Sequence, residues 1–335
     1  MDGHKIAIVN SSSFGKIFPT HIERLEEIGT VTFFNFNSNI SGKELADELR
    51  EFDMVIASVT PFFDKEFFNH KKDLKLISRH GIGYNNIDIE AAKKAGTIIS
   101  IIPALVEREA VAGNNITNLL TLMRKTTQAQ KSVENDCWED RALYIGNSLY
   151  HKTVGILGIG NTGGGVAETL RNGFKCHVLA YDPYKSQLEV EQYGAEKVSF
   201  KNLLRHSDVI CICANLTENN YHFIDEKAIS LMKKGVYISN SARGALVSES
   251  AIIDGINDGI IAGYATDVLE VEPGRSSHSF IGNDKIIVTP HTSAYTMECL
   301  EAMGEKCVDD CLRVSEGEFP IRSVQEHSFW IKSKG

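Results

Sequence analysis

A glycine-rich turn between two strand-like runs is the feature that most restricts the fold of this chain. The apolar run Thr153–Leu157 leads into residues 158–163, Gly-Ile-Gly-Asn-Thr-Gly, which open a helical stretch; a second apolar run then ends at Asp182. A Gly-x-Gly-x-x-Gly sequence in this strand–helix–strand context is typical of a βαβ unit that binds a dinucleotide. Such a unit needs a parallel sheet, and its helix N-terminus binds the pyrophosphate.

The glycines and the acid of this unit have separate roles. Gly158 permits the tight turn, Gly160 lets a pyrophosphate approach the backbone, and Gly163 permits close helix–strand packing. Asp182 follows Gly163 by about 20 residues, the distance at which an acid accepts hydrogen bonds from the ribose hydroxyls. A carboxylate there repels a 2′-phosphate, and no arginine stands in residues 181–184. The sequence therefore predicts NAD rather than NADP.

Strand-like and helical stretches alternate along the rest of the chain, which predicts an α/β protein with two doubly wound parallel sheets. The predicted strands span residues 6–9, 31–34, 54–58, 74–78, 97–101, 153–157, 176–181, 209–213, 236–240, 263–267 and 286–289. The predicted helices span residues 20–28, 42–51, 88–95, 109–131, 162–172, 226–232, 249–257 and 296–316. Residues 109–131 carry apolar side chains at Ile116, Leu119, Leu120 and Met123 and predict a long helix between two domains. The segment after His291 is shorter than the ~50 residues of a domain, so we expect it to pack on the first one.

Composition restricts the class of protein. A length of 335 residues suits two domains, and a net charge of −9 argues against nucleic acid as a partner. No apolar stretch reaches the ~18 residues of a membrane span, and the first residues do not resemble a signal peptide, so we expect a cytoplasmic protein without membrane partners. The seven cysteines are scattered without Cys-x-x-Cys. They favour reduced thiols in cores over disulfides or structural zinc, and we expect no metal.

Three side chains with complementary chemistry follow predicted strands of the second series. Arg243 comes after the strand 236–240, Glu272 stands before Pro273, and His291 follows the strand 286–289. A guanidinium binds a carboxylate and a neighbouring carbonyl oxygen, an imidazole exchanges a proton near neutral pH, and a carboxylate beside it stabilises imidazolium. Each residue alone is usually an ordinary surface residue, but the carboxyl ends of parallel strands meet at one edge. Together they predict a site that reduces a 2-oxo acid.

Six segments in this order resemble the signatures of the D-isomer-specific 2-hydroxyacid dehydrogenase family. They are residues 78–88, 158–163, 232–235, 240–244, 263–273 and 289–291, and they span nearly the whole chain. The resemblance implies a Rossmann NAD-binding domain, residues 105–296, inserted in a discontinuous flavodoxin-like substrate-binding domain, residues 1–104 and 297–335. It also implies a homodimer joined through the NAD-binding domains, with an arm like residues 137–139 reaching across.

The resemblance also assigns roles to individual residues. Arg243 is expected to bind the substrate, His291 to be the acid/base, and Glu272 to pair with His291. The backbone amides around Ile82 and Gly83 are expected to hold the substrate carboxylate. The expected cofactor-binding residues are Gly158, Gly160, Asn161, Thr162, Gly163, Asp182, Asn215, Thr217, Ala242 and Asp267.

The chain departs from the family pattern at several positions. Asn85 stands where the family often has Asp, Gly113 and Asn114 replace a common Glu-His, and Asn215 replaces a common Pro. None of these belongs to the Arg/Glu/His set, so the expected chemistry is unaffected. Glu272 argues against the formate dehydrogenases of the superfamily, which carry glutamine there.

Three functions remain open from the sequence. The leading one is NAD-dependent interconversion of a 2-oxo acid and a D-2-hydroxy acid. The alternatives are a D-3-phosphoglycerate or glyoxylate/hydroxypyruvate dehydrogenase, and an NAD(H)-sensing, corepressor-like binding protein.

The sequence gives a hint about the substrate. Residues 263–267 and 291–296 look most like the D-lactate and D-2-hydroxyisocaproate branch, which has a bulky aromatic where this chain has Ala294. If Ala294 faces the substrate, its small side chain leaves room for a longer substrate side chain. Leu105 and Val106 could then form a further part of the apolar wall around that side chain. The alternative is that Ala294 packs the start of the last helix.

Overall fold

The computed structural model describes residues 3–324, and the chain forms two compact units. Of the described residues, the first unit comprises those up to Glu107 and those from Thr296 onward, and the second comprises Arg108–Tyr295. The strands are β1 His4–Val9, β2 Gly29–Phe34, β3 Met54–Ala57, β4 Leu76–Arg79, β5 Ile98–Ser100, β6 Thr153–Leu157, β7 His177–Tyr181, β8 Glu196–Lys197, β9 Val209–Ile212, β10 Val236–Asn240, β11 Ile261–Thr266 and β12 Ile286–Val288. The helices are α1 Thr20–Glu26, α2 Gly42–Glu48, α3 Lys65–His70, α4 Ile89–Ala95, α5 Ala104–Arg124, α6 Thr126–Glu134, α7 Asn161–Phe174, α8 Gln187–Glu191, α9 Phe200–His206, α10 Glu226–Ser230, α11 Glu249–Asn257 and α12 Met297–Ser315.

The first unit is built on a five-stranded parallel sheet with the strand order β2-β1-β3-β4-β5. This is the order of flavodoxin-like sheets. Strands β3 and β4 are buried at every position, as expected for parallel strands covered on both faces. Helix α12, from the end of the chain, lies against α1 and β4 of this unit.

The second unit is built on a seven-stranded parallel sheet with the order β8-β7-β6-β9-β10-β11-β12. The first six strands along its chain follow the order of a dinucleotide-binding Rossmann sheet. Both sheets therefore confirm the predicted fold class, two doubly wound parallel α/β sheets.

Strand β9 shows how the core of the second unit is layered. Val209 and Cys211 belong to one apolar cluster, which includes side chains of α5 and α7, whereas Ile210 and Ile212 belong to a second cluster, which includes side chains of α10 and α11. Side chains alternate across a strand, so one short apolar run supplies both layers. The end of β9 is consequently held between two packed apolar layers.

The helix predicted over residues 109–131 is two helices, α5 and α6. Lys125 separates them with a φ of 52° in the left-handed region. A later segment of the chain fixes the end of α5, because the backbone N–H of Asn147 donates to Met123 O at 2.9 Å. A Cβ on Gly146 would lie only 2.3 Å from the same oxygen. No glycine or proline stands near this break, so the sequence does not reveal it.

Some short elements were not predicted. Helix α3 has only six residues, too few for a helical period to emerge, although Asp64 caps it by accepting from Phe67 N at 2.9 Å. Helices α8 and α9 and the two-residue strand β8 were also missed. Within residues 3–324, no helix is long and apolar enough to cross a membrane.

Two glycines of α7 provide a test of the packing in the second unit. A Cβ on Gly163 would lie 2.1 Å from Gly158 O, whereas no heavy atom of the described residues, apart from the local chain, lies within 4 Å of a Cβ on Gly173. We expect Gly163→Ala to lower the free energy of unfolding by about 1–3 kcal/mol through overpacking. Gly173→Ala should leave it unchanged or raise it by up to about 1 kcal/mol. Urea unfolding followed by circular dichroism measures both, and equal effects would contradict the close approach at Gly163.

Candidate active site

The predicted cofactor and catalytic residues of the second unit follow successive strands of its sheet. Because all pairings in that sheet are parallel, these residues lie at its carboxyl edge, where doubly wound sheets bind ligands. Residues 158–163 follow β6, Asp182 follows β7, Asn215 and Thr217 follow β9, Ala242 and Arg243 follow β10, Asp267 and Glu272 follow β11, and His291 follows β12.

The glycine turn has the geometry that a dinucleotide requires. Gly158 has a φ of +86°, and a Cβ on it would lie 2.5 Å from the Cα of Ala214, so only glycine fits. Gly160 precedes the 14-residue helix α7, and apart from its chain neighbours no described heavy atom lies within 4 Å of a Cβ built there. Open space beside a helix N-terminus suits a pyrophosphate. Asn161 and Thr162 form the first turn of α7, so these residues fit the cofactor.

Asp182 is tied directly to the glycine turn. Its Oδ2 accepts a hydrogen bond from Ile159 N at 3.1 Å, and its Oδ1 accepts one from Tyr184 N at 2.9 Å. The backbone N–H of Gly158 donates to Tyr181 O at 2.9 Å. Asp182, which is expected to bind the ribose hydroxyls, thus also stabilises the glycine turn, which is expected to bind the phosphates.

The loop after β9 is fixed by one asparagine side chain. Asn220 Oδ1 accepts from Thr217 N at 2.7 Å, and Asn220 Nδ2 donates to Asn215 O at the same distance. Asn215 and Thr217 are exposed at the carboxyl edge of the sheet. Their expected contact with the cofactor stays a prediction.

Arg243 lies in a turn that the buried Asn240 organises. Asn240 Oδ1 accepts from Ala242 N at 3.0 Å, and its Nδ2 donates to Arg243 O at 3.0 Å. A Cβ on Gly244 would lie 2.0 Å from the carbonyl carbon of Leu269, so the two backbones are in close contact. This contact brings Arg243 beside the turn that carries Glu272.

Glu272 and His291 form a hydrogen-bonded pair. His291 Nδ1 lies 2.8 Å from Glu272 Oε2, and Glu272 Oε1 accepts from Leu269 N at 3.1 Å. Burial raises the pKa of Glu272, but the hydrogen bond and charge of His291, the N–H of Leu269 and the charge of Arg243 together hold that pKa below its usual value. The carboxylate is therefore ionised at neutral pH. Nδ1 of His291 donates to it, which leaves Nε2 to exchange a proton.

Asp267 holds the loop on which His291 is carried. Its carboxylate accepts from Thr292 N at 2.9 Å, from Ser293 N at 2.7 Å and from the hydroxyl of Thr289. Its backbone oxygen accepts from His291 N at 2.9 Å, and His291 has a φ of 54°. This anchoring role was not predicted from the sequence, and the expected contact of Asp267 with the cofactor stays a prediction.

Three asparagines of α5 also contribute to the site, which was not predicted from the sequence. Asn114 Oδ1 accepts from Ser293 Oγ at 3.1 Å, and Asn118 Nδ2 donates to Thr289 Oγ1 at 3.2 Å. Asn115 Nδ2 donates to Ser241 Oγ at 2.9 Å. Positions 114 and 118 share a helix face, and this spacing was the available signal. Asn114, one of the departures from the family pattern, thus supports the loop of His291.

The remaining predicted residues are those expected to contact the substrate. Ile82 and Gly83 lie in the first unit, after β4. Ala294 is half-buried in the turn before α12, while Leu105 is exposed and Val106 half-buried at the start of α5. Their expected contacts with a substrate stay predictions.

Comparisons with known proteins agree with this geometry. Residues 116–293 match the family described as D-isomer specific 2-hydroxyacid dehydrogenase, NAD binding domain. A glyoxylate reductase of Thermococcus litoralis is 33% identical over 288 residues, covering 84% of this chain and 86% of that protein. A D-3-phosphoglycerate dehydrogenase of Archaeoglobus fulgidus is 33% identical over 86% of this chain, which spans 54% of that longer protein. The crystal structure of D-lactate dehydrogenase from Escherichia coli matches with a TM-score of 0.83 at 27% identity, covering 96% of this chain and 100% of that chain.

The position of Asp182 leads to a prediction about cofactor preference. We expect the Kd of NADPH to exceed that of NADH by about tenfold or more, because like charges at a binding site cost on the order of several kcal/mol. Asp182→Asn, which removes the charge but keeps an acceptor, should narrow this gap. Fluorescence titration measures the affinities, and Glu191→Gln, an exposed acid of α8, is the matched control. Equal wild-type affinities would refute the role of Asp182.

Proposed function

This chain belongs to the D-isomer specific 2-hydroxyacid dehydrogenase family, and we propose that it uses NAD(H) to interconvert a small 2-oxo acid and its D-2-hydroxy acid. The observation that carries the proposal is the 2.8 Å pair of His291 with an ionised Glu272. The pair lies beside Arg243 and at the same sheet edge as the dinucleotide turn. Steady-state oxidation of NADH with a panel of 2-oxo acids tests it.

Arg243, His291 and Glu272 each have a separate role in the proposed reaction. Arg243 binds the substrate carboxylate and polarises the 2-oxo group with its planar, permanently charged guanidinium. When bound, the reduced nicotinamide supplies the hydride for C2. His291 donates the proton from Nε2 to the carbonyl oxygen, which completes the hydroxyl group. Glu272 accepts the Nδ1–H throughout and stabilises the imidazolium form before the proton leaves.

The similar proteins support an enzyme rather than a binding protein. Their names are those of reductases and dehydrogenases that act on glyoxylate, D-3-phosphoglycerate or D-lactate. The corepressor-like alternative is therefore not favoured, and a protein of that kind would show no turnover with any 2-oxo acid. We propose that the substrate is a small 2-oxo monocarboxylic acid and that a phosphate group is not required.

The Glu272–His291 pair leads to a prediction about catalysis. In the proposed reaction His291 donates a proton, and the ionised Glu272 orients its ring and stabilises its charged form. Glu272→Gln removes this negative charge, so kcat/KM for reduction of 2-oxo acids should fall by about tenfold or more. The matched control is Glu270→Gln, whose carboxylate pairs with His222 at 3.0 Å and should leave kcat/KM close to the wild-type value. An unchanged kcat/KM in Glu272→Gln would defeat the assignment.

A second prediction concerns chain length. We expect activity from 2-oxobutyrate to 2-oxoisocaproate, because a methyl group at position 294 leaves room for extra carbons and each buried methylene contributes about 0.8 kcal/mol. Ala294→Phe should lower kcat/KM for the longer acids relative to glyoxylate and pyruvate. The measurement is kcat/KM across the series. A steep fall beyond pyruvate in the wild type, or a series that Ala294→Phe leaves unchanged, would remove this role of Ala294.

We also propose a homodimer. Exposed apolar side chains cluster in the segment near Cys137, where Trp138, Leu143 and Ile145 are 63%, 67% and 76% exposed. An apolar patch of this kind is typical of a protein–protein interface. Sedimentation equilibrium should give twice the mass of one chain, and a monomer would contradict the proposal.

A cytoplasmic location is part of the same proposal. Cysteines of the described residues are free thiols, and Cys211, Cys307 and Cys311 are buried. Burial raises the pKa of Cys307 to about 12, so it stays a neutral thiol. Buried, unpaired cysteines fit a reducing compartment.

A further inference from the structure

The loop after β4 presents a backbone amide whose direction is set by the fold. Gly81 N donates to Arg79 O at 2.8 Å, and Gly81 O accepts from Ile102 N at 3.3 Å. Arg79 Nη1 donates to His80 O at 2.6 Å, and a Cβ on Gly81, at a φ of +152°, would lie 2.8 Å from that same Nη1. Bonds on both sides therefore fix the chain just before Ile82, so the Ile82 amide has little freedom to turn away.

This amide already binds a carboxylate of the chain itself. Ile82 N donates to Glu107 Oε1 at 3.0 Å, and both residues belong to the first unit. Glu107 is half-buried in the first turn of α5. Its negative charge also acts on a neighbouring thiol: burial, with the charge of Glu107 as the second cause, raises the pKa of Cys299 to about 12. The side chain of Glu107 therefore has the position and the chemistry of a bound carboxylate ligand.

The Ile82 amide is also the group expected to bind the substrate carboxylate, an expectation that rests on the proposed function. One N–H cannot serve two carboxylates well, and two negative charges at one amide repel each other. We propose that Glu107 competes with the substrate for the Ile82 amide and thereby sets the KM for 2-oxo acids. Binding of the substrate carboxylate displaces Glu107. Since Glu107 has left the amide once the substrate is bound, it affects KM and leaves kcat unchanged.

A purely structural role of Glu107 makes the opposite prediction. If the bond to Ile82 served only to hold the loop, its loss would loosen the donor, raise KM and lower the melting temperature. Competition predicts a lower KM at little cost in stability. The direction of the change in KM separates the two roles.

The test uses the full-length enzyme with NADH, 2-oxobutyrate as substrate, and oxamate as an unreactive carboxylate inhibitor. Glu107→Gln keeps an acceptor for Ile82 N but loses the charge, and Glu107→Ala loses both. The matched control is Glu109→Gln, an exposed acid of the same helix that pairs with Arg108. Melting temperatures of all variants are measured in parallel.

We expect KM for 2-oxobutyrate and Ki for oxamate to fall about threefold in Glu107→Gln. In Glu107→Ala both should fall about tenfold, which corresponds to about 1.4 kcal/mol. Their kcat should stay within about twofold of wild type, and Glu109→Gln should match wild type. A KM that is unchanged or higher in both Glu107 variants overturns the competition while leaving the proposed function intact. Failure of the wild type to turn over any 2-oxo acid overturns both.

Discussion

The buried carboxylate of Asp267 is the constraint on which the candidate active site depends. It is 1% exposed, and a charge so deeply buried is stable only where donors surround it. Those donors come from the loop Thr289–Ser293, and the backbone of Asp267 also binds His291 N. The left-handed backbone of His291 is held in this way, and its ring reaches Glu272. The position of the His291 ring thus depends on Asp267, which binds the backbone of His291 and of the two residues after it.

Much of the fold and of the site could be predicted from the sequence because both depend on strand order. Alternating strands and helices, with a glycine turn after β6, restrict the chain to doubly wound sheets. In such sheets the residues after each strand meet at one edge. Arg243, Glu272 and His291 are far apart in sequence, but this rule alone places them together, and the structure has Glu272 and His291 in hydrogen-bond contact.

What the sequence could not reveal depends on contacts between distant segments. The break at Lys125 comes from the packing of residues 146–147 on the end of α5, not from a local signal. Asn114 and Asn118 are polar residues in a helix whose prediction rested on its apolar positions alone. Their hydrogen-bond partners lie on the loop of His291. The bond between Glu107 and Ile82 likewise joins a helix to a loop that precedes it by about one helix and one strand.

The carboxylate of Asp182 has a consequence for anyone who wishes to redesign the cofactor site. Its Oδ2 accepts from Ile159 N within the glycine turn, so the side chain expected to discriminate between the nucleotides also holds the conformation of that turn. Removing the acid to admit a phosphorylated nucleotide would also release the turn. A successful redesign of this chain would therefore supply a neutral acceptor for Ile159 N together with a new cation, rather than substitute Asp182 alone.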